Sequence, residues 1–363
     1  MNLFAFVIRS LSWHRLSARV MSALAPSRLA TLPLFACALL LAACDSKAPA
    51  PAETSPQPAA QTLPAASAPS APAHTTPTQQ TTPPTSSSPD DRAGWPKVVR
   101  VGLVPVEGGS DTKARWAPLG EALEKHLGVP VELISASTYQ GVITAMGNDQ
   151  LEFAYMGPKS YVEAANRAKG EALLVELNLK GEPGYRCIFV VPAASPIKDL
   201  KDAKGLKFAF TDINSTSGYL IPAMTLLDVL GQPADKFFGQ VTFSGSHSTS
   251  LLEIASNKID VAATNDLDTN YAVAQGTIKA EAFRVIYTSE LIPGSPMVCR
   301  KDIPASLKRA FVDAILEMSK DTSILDKLKN GGFRPITDQQ FDVIRASQKF
   351  LESQSTTPKP AGG

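Results

Sequence analysis

The chain has 363 residues, enough for two or three domains of ordinary size. Its 35 Lys and Arg nearly balance its 34 Asp and Glu, so the charge gives no sign of a nucleic-acid partner. Residues 1–44 carry four Arg and no acid, which leaves 31 bases against 34 acids in the remainder. Of the 29 Pro, 11 lie between Ser46 and Pro89, which indicates a linker and excludes collagen-like, coiled-coil and multispanning membrane chains.

An apolar segment near the N-terminus predicts export. Thr31–Ala43 contains 13 largely apolar residues, too few for a membrane-spanning helix, which needs about 20. A preceding basic residue, Arg28, and small residues before a cleavage site are typical of a secretory signal. Leu41-Ala42-Ala43-Cys44 resembles the bacterial lipobox, in which the signal peptidase cuts before a cysteine that carries the lipid. We therefore expect residues 1–43 to be a lipoprotein signal and Cys44 to be lipidated.

Two alternatives to a lipoprotein signal remain: an ordinary signal with a chance cysteine, or an uncleaved anchor. Translation from Met21 instead of Met1 would give a signal of ordinary length. Asp45, directly after the cysteine, resembles the residue that retains lipoproteins at the inner membrane in some Gram-negative bacteria. The expected location is the periplasmic face of the inner membrane, with the N-terminal lipid as the anchor.

Residues 44–96 are expected to form a disordered tether. The segment consists almost entirely of Ala, Pro, Ser, Thr and Gln. Such a composition buries too little apolar surface to offset the loss of chain entropy. The folded part is then residues 97–353, followed by a disordered tail at residues 354–363.

In the folded part, short apolar runs alternate with amphipathic stretches. The runs predict strands at Val98–Val104, Val131–Ile134, Phe153–Tyr155, Ala172–Leu179, Cys187–Val191, Lys207–Phe210, Val241–Ser244, Ile259–Thr264, Arg284–Thr288 and Met297–Arg300. The amphipathic stretches predict helices at Ala117–Leu127, Gln140–Asn148, Ser160–Lys169, Gly218–Leu230, Ser248–Ser256, Pro304–Lys320 and Asp338–Glu352. This alternation predicts an α/β fold of open, mixed but mainly parallel sheets flanked by helices.

Three strand-to-helix junctions carry groups suited to binding an oxyanion. The clearest is Asn214-Ser215-Thr216-Ser217-Gly218, and the others begin at Tyr139 and at Tyr155. A helix start offers unpaired N–H groups and the positive end of the dipole, and hydroxyls there can donate to an anion. Ser and Thr are also common N-caps, so capping alone would explain their presence. Because such junctions converge at the carboxyl edge of an open α/β sheet, we expect a small-anion site there.

A further junction carries His247, whose side chain would donate to the same anion. A hydrolase with Ser215 or Ser217 as nucleophile and His247 as base is a rival hypothesis. No recognisable motif supplies a carboxylate to orient the histidine, and no Gly-x-Ser-x-Gly elbow is present. The sequence therefore favours binding over catalysis.

Motifs for metals and cofactors are absent from the sequence. It contains no His-Glu-x-x-His, Cys-x-x-Cys, P-loop or Gly-x-Gly-x-x-Gly, so neither a metal nor a cofactor is expected. Cys187 and Cys299 both lie in predicted strands. They would either pair in an oxidising compartment or remain buried thiols.

Five ordered blocks between about Val98 and about Lys320 resemble the phosphonate- and phosphite-binding proteins of ABC importers. The blocks are Pro183–Tyr185, Asp212–Pro222, Gly245–His247, Asp260–Asn265 and Leu291–Pro296. The resemblance implies a two-lobed type II periplasmic-binding-protein fold that closes over its ligand at a hinge. It implies a first lobe at residues 97–190 and 287–353 and a second at residues 191–286, joined by two crossing segments.

The resemblance also implies a binding site. Its expected ligand-binding residues are Tyr139, Tyr185, Ser215, Thr216, Ser217, His247, Asn265 and Asp266. Family members that bind an aminoalkyl phosphonate place carboxylates against the ammonium, where this chain has Leu267 and Ser295. A shift of one residue would give that role to Asp266 or Asp268. We therefore expect a preference for a small oxyanion without an amine: phosphate, phosphite or methylphosphonate.

Together these observations predict a monomeric, non-enzymatic substrate-binding lipoprotein. It would capture a small phosphorus oxyanion (a phosphonate, phosphite or phosphate) and deliver it to an ABC permease with its ATPase. A ligand-sensing module for a signalling partner is the alternative, and other small anions such as sulfonates also fit the fold.

The lipobox predicts that fatty-acid labelling of the protein depends on Cys44. The substitution Cys44→Ala should abolish labelling in cells given a radioactive or alkyne fatty acid, because it removes the acceptor thiol. The matched variant Cys37→Ala, within the apolar segment, should keep it. Labelling of Cys44→Ala at the wild-type level would contradict the assignment.

Overall fold

A computed structural model of the chain describes residues 92–356. The predicted signal at residues 1–43, the lipidation site Cys44, the tether up to residue 91 and the tail beyond residue 356 lie outside the described residues. Of the helices within residues 92–356, none is both long enough and apolar enough to cross a bilayer.

Residues 92–356 form two main sheets, a two-stranded ribbon and flanking helices. The strands are β1 (Val99–Leu103), β2 (Val131–Ser135), β3 (Phe153–Tyr155), β4 (Gly170–Glu176), β5 (Gly184–Tyr185), β6 (Cys187–Pro192), β7 (Lys207–Phe210), β8 (Gln240–Phe243), β9 (Val261–Asn265), β10 (Phe283–Thr288), β11 (Ile292–Pro293), β12 (Pro296–Arg300) and β13 (Phe333–Pro335). The α-helices are α1 (Gly109–Leu127), α2 (Tyr139–Gly147), α3 (Pro158–Arg167), α4 (Ile221–Leu230), α5 (Ala234–Phe237), α6 (His247–Ala255), α7 (Asp266–Ala274), α8 (Ala305–Met318), α9 (Thr322–Leu328) and α10 (Asp342–Thr356). A π-helical turn, Thr216–Leu220, leads directly into α4.

The first sheet has six strands in the order β13-β4-β12-β3-β1-β2. Strand β1 pairs in parallel with β2 and β3, whereas β12 lies antiparallel between β3 and β4. Its core includes Phe153, whose ring stacks on that of Phe311 in α8 with 3.7 Å between centroids. Trp116 of α1 packs on Tyr155 at the end of β3, with 4.3 Å between ring centroids. This packing holds the carboxyl end of β3 in place.

The second sheet has five strands in the order β10-β6-β9-β7-β8. Strand β7 pairs in parallel with β8 and β9, whereas β6 lies antiparallel to β9 and β10. In one of its cores the ring of Phe208 packs on those of Phe189 and Phe238. Every residue of β9 is buried, as expected for a strand covered on both faces.

The chain changes sheet twice, and the two crossing segments pair with each other. Tyr185 of β5 lies opposite Ile292 of β11 in an antiparallel ribbon. Glycine is required beside this ribbon, because a Cβ on Gly184 would lie 2.5 Å from the Ile292 carbonyl oxygen. A Cβ on Gly294 would lie equally close, 2.5 Å, to the Glu176 carbonyl oxygen. The ribbon is therefore the tightly packed connection between the two sheets.

The helix-flanked α/β organisation agrees with the sequence, but the strand directions are more mixed than the alternation predicted. Antiparallel pairs make up five of the nine pairings in the two main sheets of the described chain. Strands β6 and β12 enter their sheets directly from the ribbon, without the helical crossover that parallel pairing requires. The predicted lobe boundaries at 190/191 and 286/287 fall inside β6 and β10.

Both cysteines of the described chain are buried free thiols. Cys187 lies in β6 of the second sheet and Cys299 in β12 of the first, so the alternative of a disulfide between them is not realised. Burial raises the pKa of the Cys187 thiol well above its ordinary value and raises the pKa of Cys299 to about 12. Both thiols therefore stay protonated and unreactive.

Candidate functional site

A small cavity lies between the carboxyl ends of the first-sheet strands and those of the second. Its volume is about 20 Å³, which in this closed arrangement excludes a long chain. Its wall consists of Val104, Val106, Tyr139, Tyr155, Gly157, Tyr185, Ser215, Thr216, Ser217, His247, Asn265, Leu267, Asp268 and Ser295. Seven of the eight residues that the sequence selected for ligand binding are in this wall, and Asp266 is not.

Five helix starts meet at the cavity. The wall residues at these starts are Tyr139 in the first turn of α2, Gly157 before α3, Ser215 to Ser217 at the turn into α4, His247 at the start of α6, and Asn265, Leu267 and Asp268 at the start of α7. Each helix start carries the positive end of a helix dipole, although some of its first-turn N–H groups are already bonded to protein acceptors. The convergence therefore favours an anion although the wall contains no Lys or Arg.

A sharp bend at the end of β7 presents the three hydroxyls. Thr211 N–H donates to the Gly218 carbonyl at 2.9 Å, and Gly218 N–H donates to Ser215 Oγ, also at 2.9 Å. Thr216 Oγ1 accepts from the N–H of Lys159 at 2.8 Å. Since accepting uses only a lone pair, the Thr216 hydroxyl can still donate its own proton, to the neighbouring Tyr185 or to a ligand. Ser215, Thr216 and Ser217 are all buried.

Two tyrosines place phenolic hydroxyls at the cavity. Tyr139 is buried, and its hydroxyl has no hydrogen-bond partner among the described residues. The hydroxyl of Tyr185, on the ribbon strand β5, interacts with Ser217 and Thr216. Burial raises the pKa of both tyrosines well above the ordinary value, so both remain protonated donors. An unpartnered buried hydroxyl at a cavity wall is a donor available to a ligand.

His247 is buried at the start of α6. Its Nδ1 lies 3.0 Å from Thr264 Oγ1, and its Nε2 lies 4.0 Å from Asp268 Oδ2. With a hydroxyl at Nδ1, Nε2 is the ring nitrogen left to donate toward a ligand. Burial lowers the pKa of His247, and the negative charges of Asp268 and Asp212 only partly offset this effect. None of the described hydrogen bonds joins the ring to Ser215 or Ser217, as a serine nucleophile would need.

The carboxylate at the cavity is that of Asp268, and that of Asp266 points elsewhere. Asp266 Oδ1 accepts from the N–H of Arg186 at 2.9 Å. Asn265 caps α7 by accepting from the N–H of Asp268 at 2.8 Å, and its Nδ2 donates to Asp268 Oδ2 at 2.7 Å. Asn265 is therefore the N-cap of α7, and its side chain also holds the Asp268 carboxylate in place. The sequence named Asp268 only as an alternative acid, and an Asn N-cap three residues before it is the signal that favours it over Asp266.

Protein groups also join the two sides of the cavity directly. His247 N–H donates to the Val106 carbonyl at 3.0 Å. Ser160 Oγ donates to the Asn214 carbonyl at 2.9 Å, and Asn214 Nδ2 donates to Gln140 Oε1 at 3.3 Å. These bonds stabilise the closed arrangement of the cavity. Within residues 92–356 no three His, Cys, Asp or Glu side chains are placed to bind a metal ion.

The chain is similar in sequence to proteins of one family. A family model described as "ABC transporter, phosphonate, periplasmic substrate-binding protein" matches residues 101–341. The chain is 31% identical over 265 residues to the phosphonates-binding periplasmic protein of Escherichia coli strain K12, covering 71% of this chain and 78% of that protein. It is 30% identical over 273 residues to the phosphate-import protein PhnD of Mycolicibacterium smegmatis, covering 69% of this chain and 85% of that protein.

The fold is also similar to a solved structure. That structure is the binding-protein component of an ABC phosphonate transporter from Pseudomonas aeruginosa, with a TM-score of 0.68 and 28% sequence identity. The similarity covers 73% of this chain and 90% of that one. It confirms the prediction of a type II periplasmic-binding-protein fold.

The lowered pKa of His247 predicts a specific pH dependence of stability. Below the ordinary histidine pKa of 6.5 the unfolded state takes up a proton that the buried ring refuses. The contribution of the neutral His247 ring to the free energy of unfolding is therefore complete above pH 6.5. It is lost as the pH falls toward the lower pKa of the folded state. Thermal unfolding without ligand, measured between about pH 7 and about pH 5, should show a shallower decline for His247→Gln than for the wild type.

The matched control is His126→Gln, at an exposed position of α1. This variant removes a surface histidine and leaves His247 in place, so its melting temperature should keep the pH dependence that His247 produces. Parallel curves for wild type and His247→Gln would show that the ring does not resist protonation.

Proposed function

The chain belongs to the family of periplasmic substrate-binding proteins of ABC phosphonate transporters, and from this membership we propose that it captures a small phosphorus oxyanion in the cavity between its two sheets. Members of this family bind and transport rather than catalyse, so the sequence-based prediction of a non-enzymatic protein is confirmed. The ligand, the residues that hold it and the membrane anchor are the parts that we propose.

The observation that carries the proposal is the convergence of five helix starts on one buried cavity. An oxyanion there would receive hydrogen bonds from hydroxyls and backbone N–H groups and would lie at the positive ends of several dipoles. We propose that Ser215, Thr216 and Ser217 hold the oxygens on one side and Tyr139 and Tyr185 on the other. Because these donors are uncharged, a bound anion can also leave again, as delivery to a permease requires.

His247 and Asn265 complete the proposed set of donors. His247 would donate through Nε2, and Asn265 would hold both the start of α7 and the neighbouring Ser217 hydroxyl, which lies 3.4 Å from its Nδ2. Asp266 is not part of this set, because its carboxylate is engaged by the Arg186 N–H. The E. coli relative is named for phosphonates and the M. smegmatis relative for phosphate, and both classes carry the oxygens that such donors suit.

We propose phosphate, phosphite or methylphosphonate as the preferred ligand. The small cavity and the side chain of Leu267 in its wall favour a compact anion with at most a methyl group. From the family resemblance, Leu267 and Ser295 stand where members that bind aminoalkyl phosphonates have carboxylates. Asp268, however, does place a carboxylate in the cavity wall. The preference for an amine-free ligand is therefore tested most directly by comparing the Kd of an amine-free phosphorus compound with that of an aminoalkyl phosphonate.

Delivery and anchoring complete the proposal. An ABC permease with its ATPase is the partner that family membership implies, and a monomer suffices to present one ligand to it. Lipidation at Cys44 would tether the binding domain to the periplasmic face of the inner membrane through the Pro-rich segment. A tether of that composition gives the domain reach without fixing its orientation.

Calorimetry on the purified protein tests the ligand. Titrations with phosphate, phosphite, methylphosphonate and 2-aminoethylphosphonate should give at least one of the first three a lower Kd than the aminoethyl compound. Sulfate serves as the control for a tetrahedral anion without phosphorus. Failure of all four phosphorus compounds to bind would overturn the proposed function.

A hydroxyl deletion tests the site. Ser217→Ala removes a hydrogen bond to a charged group, which contributes about 1.5–3 kcal/mol, and should raise the Kd by roughly ten- to a hundredfold. The melting temperature without ligand should change little, because no element of the fold is capped by this hydroxyl. Ser347→Ala, equally buried but on α10 and outside the cavity wall, is the control. Equal affinities for the two variants would exclude Ser217 from the site.

A further inference from the structure

A buried arginine outside the cavity wall is bonded to the one carboxylate within it. Arg115 of α1 is 2% exposed, and its Nη1 lies 2.8 Å from Asp268 Oδ1. The same nitrogen forms an ion pair with Glu107, and Nη2 donates to the Leu328 carbonyl at 3.3 Å. The guanidinium also lies over the ring of Tyr271, 4.4 Å from its centroid. Arg115 is thus held on several sides and has little freedom to leave Asp268.

The contacts of Asp268 leave little for a ligand. Its Oδ1 accepts from Arg115 and its Oδ2 accepts from Asn265 Nδ2 at 2.7 Å. The carboxylate is therefore pointed at protein donors through both oxygens. An unpaired carboxylate in a buried cavity would attract a ligand ammonium and repel an anion, and both effects are strong where water is excluded.

We propose that Arg115 is a positioning residue that sets ligand specificity through Asp268. By pairing with the Asp268 carboxylate, Arg115 lets an oxyanion bind beside that carboxylate. The same pairing makes the carboxylate unavailable to an ammonium group on the ligand. The inference rests on the proposed function and goes beyond it by naming the residue that separates amine-free from amine-bearing phosphorus ligands. The pair also joins α1, which packs on the first sheet, to α7, which packs on the second. It therefore forms only when the two sides of the cavity are together.

The surrounding charges are consistent with this role. Glu107 is the other carboxylate in an ion pair with the guanidinium, and burial raises its pKa. Burial also opposes ionisation of Asp268, but Arg115, His247 and Asn265 outweigh it and hold the pKa of Asp268 below its ordinary value. Asp268 is thus stabilised in its charged form by Arg115, whereas burial disfavours the charged form of Glu107. Nε2 of His247 lies 4.0 Å from Asp268 Oδ2, and burial disfavours the cationic form of this ring.

The test compares two probes, 2-aminoethylphosphonate and methylphosphonate, by calorimetry on each variant. In Arg115→Met the freed carboxylate should bind the ammonium. The Kd of the aminoethyl probe divided by that of methylphosphonate should then fall by about ten- to a hundredfold relative to wild type, as expected for one charge-assisted hydrogen bond. Arg115→Lys retains a cation near Asp268 and should keep the ratio closer to the wild-type value. A general loss of stability would weaken both probes together and leave the ratio unchanged.

Because Arg115→Met leaves two buried carboxylates unpaired, the double variant Glu107→Gln/Arg115→Met provides the same test with one carboxylate fewer. Arg100→Met is the control, since it breaks an ion pair with Glu152 that lies outside the cavity wall, and the ratio should stay at the wild-type value. Asp268→Asn, which still leaves Arg115 a partner in Glu107, should change the Kd of both probes by the same factor.

Two results would overturn the inference. One is an unchanged ratio in folded Arg115 variants that bind methylphosphonate. The other is a selective loss of the aminoethyl probe in Asp268→Asn, which would mean that Asp268 already serves an ammonium in the wild type. Both leave the proposed function standing. If wild-type protein bound neither these probes nor phosphate and phosphite, the proposed function itself would fail and this inference with it.

Discussion

The close approach of Gly218 to Thr211 is the constraint on which the cavity depends. A Cβ at residue 218 would lie 2.3 Å from Thr211 Cβ, so only glycine allows the chain to fold back on the end of β7. The fold-back is fixed by the bond from Thr211 N–H to the Gly218 carbonyl and leads through a π-helical turn into α4. Ser215 to Ser217 form the outer side of this bend. Their exposure to the cavity therefore follows from main-chain geometry and not from side-chain preference.

Burial keeps the donors at the cavity neutral. The tyrosines remain phenols and His247 remains uncharged because the charged form of each would lie in a buried site without water to solvate it. The charged groups near the cavity are paired with one another, since Asp268 contacts Arg115. The result is a polar wall of low net charge in which helix dipoles provide the attraction for an anion. A wall of this kind can bind an anion without a Lys or Arg side chain in contact with it.

The sequence located the parts of the site that lie at strand-to-helix junctions, because local chemistry marks them. Tyr139, Ser215 and His247 each begin or precede a helix whose apolar pattern is evident. Asp268 was named only as an alternative acid, because α7 has a weak apolar face and no helix was predicted where its first turn brings residue 268 beside Asn265. The proposed roles of all these residues stay predictions until ligand is bound to them.

The remaining features depend on contacts that no local pattern contains. Arg115 contacts Asp268 although the two residues are 153 positions apart in the sequence. The residues around Arg115 have the pattern of an ordinary helix and do not indicate this partner. The antiparallel course of β12 follows from the paired crossing segments, which are too short to show periodicity. The fold class needs only the order of elements, whereas these pairings need the three-dimensional arrangement.

One bond across the cavity has a consequence for how such proteins diversify. The N–H of His247 meets the carbonyl of Val106, so the contact uses main-chain atoms on both sides. Substitution of the side chains leaves these atoms in place, provided that α6 still begins at residue 247. Duplicated copies of the gene can therefore accumulate substitutions in the cavity wall and acquire new ligands. They would retain the same main-chain hydrogen bond across the cavity.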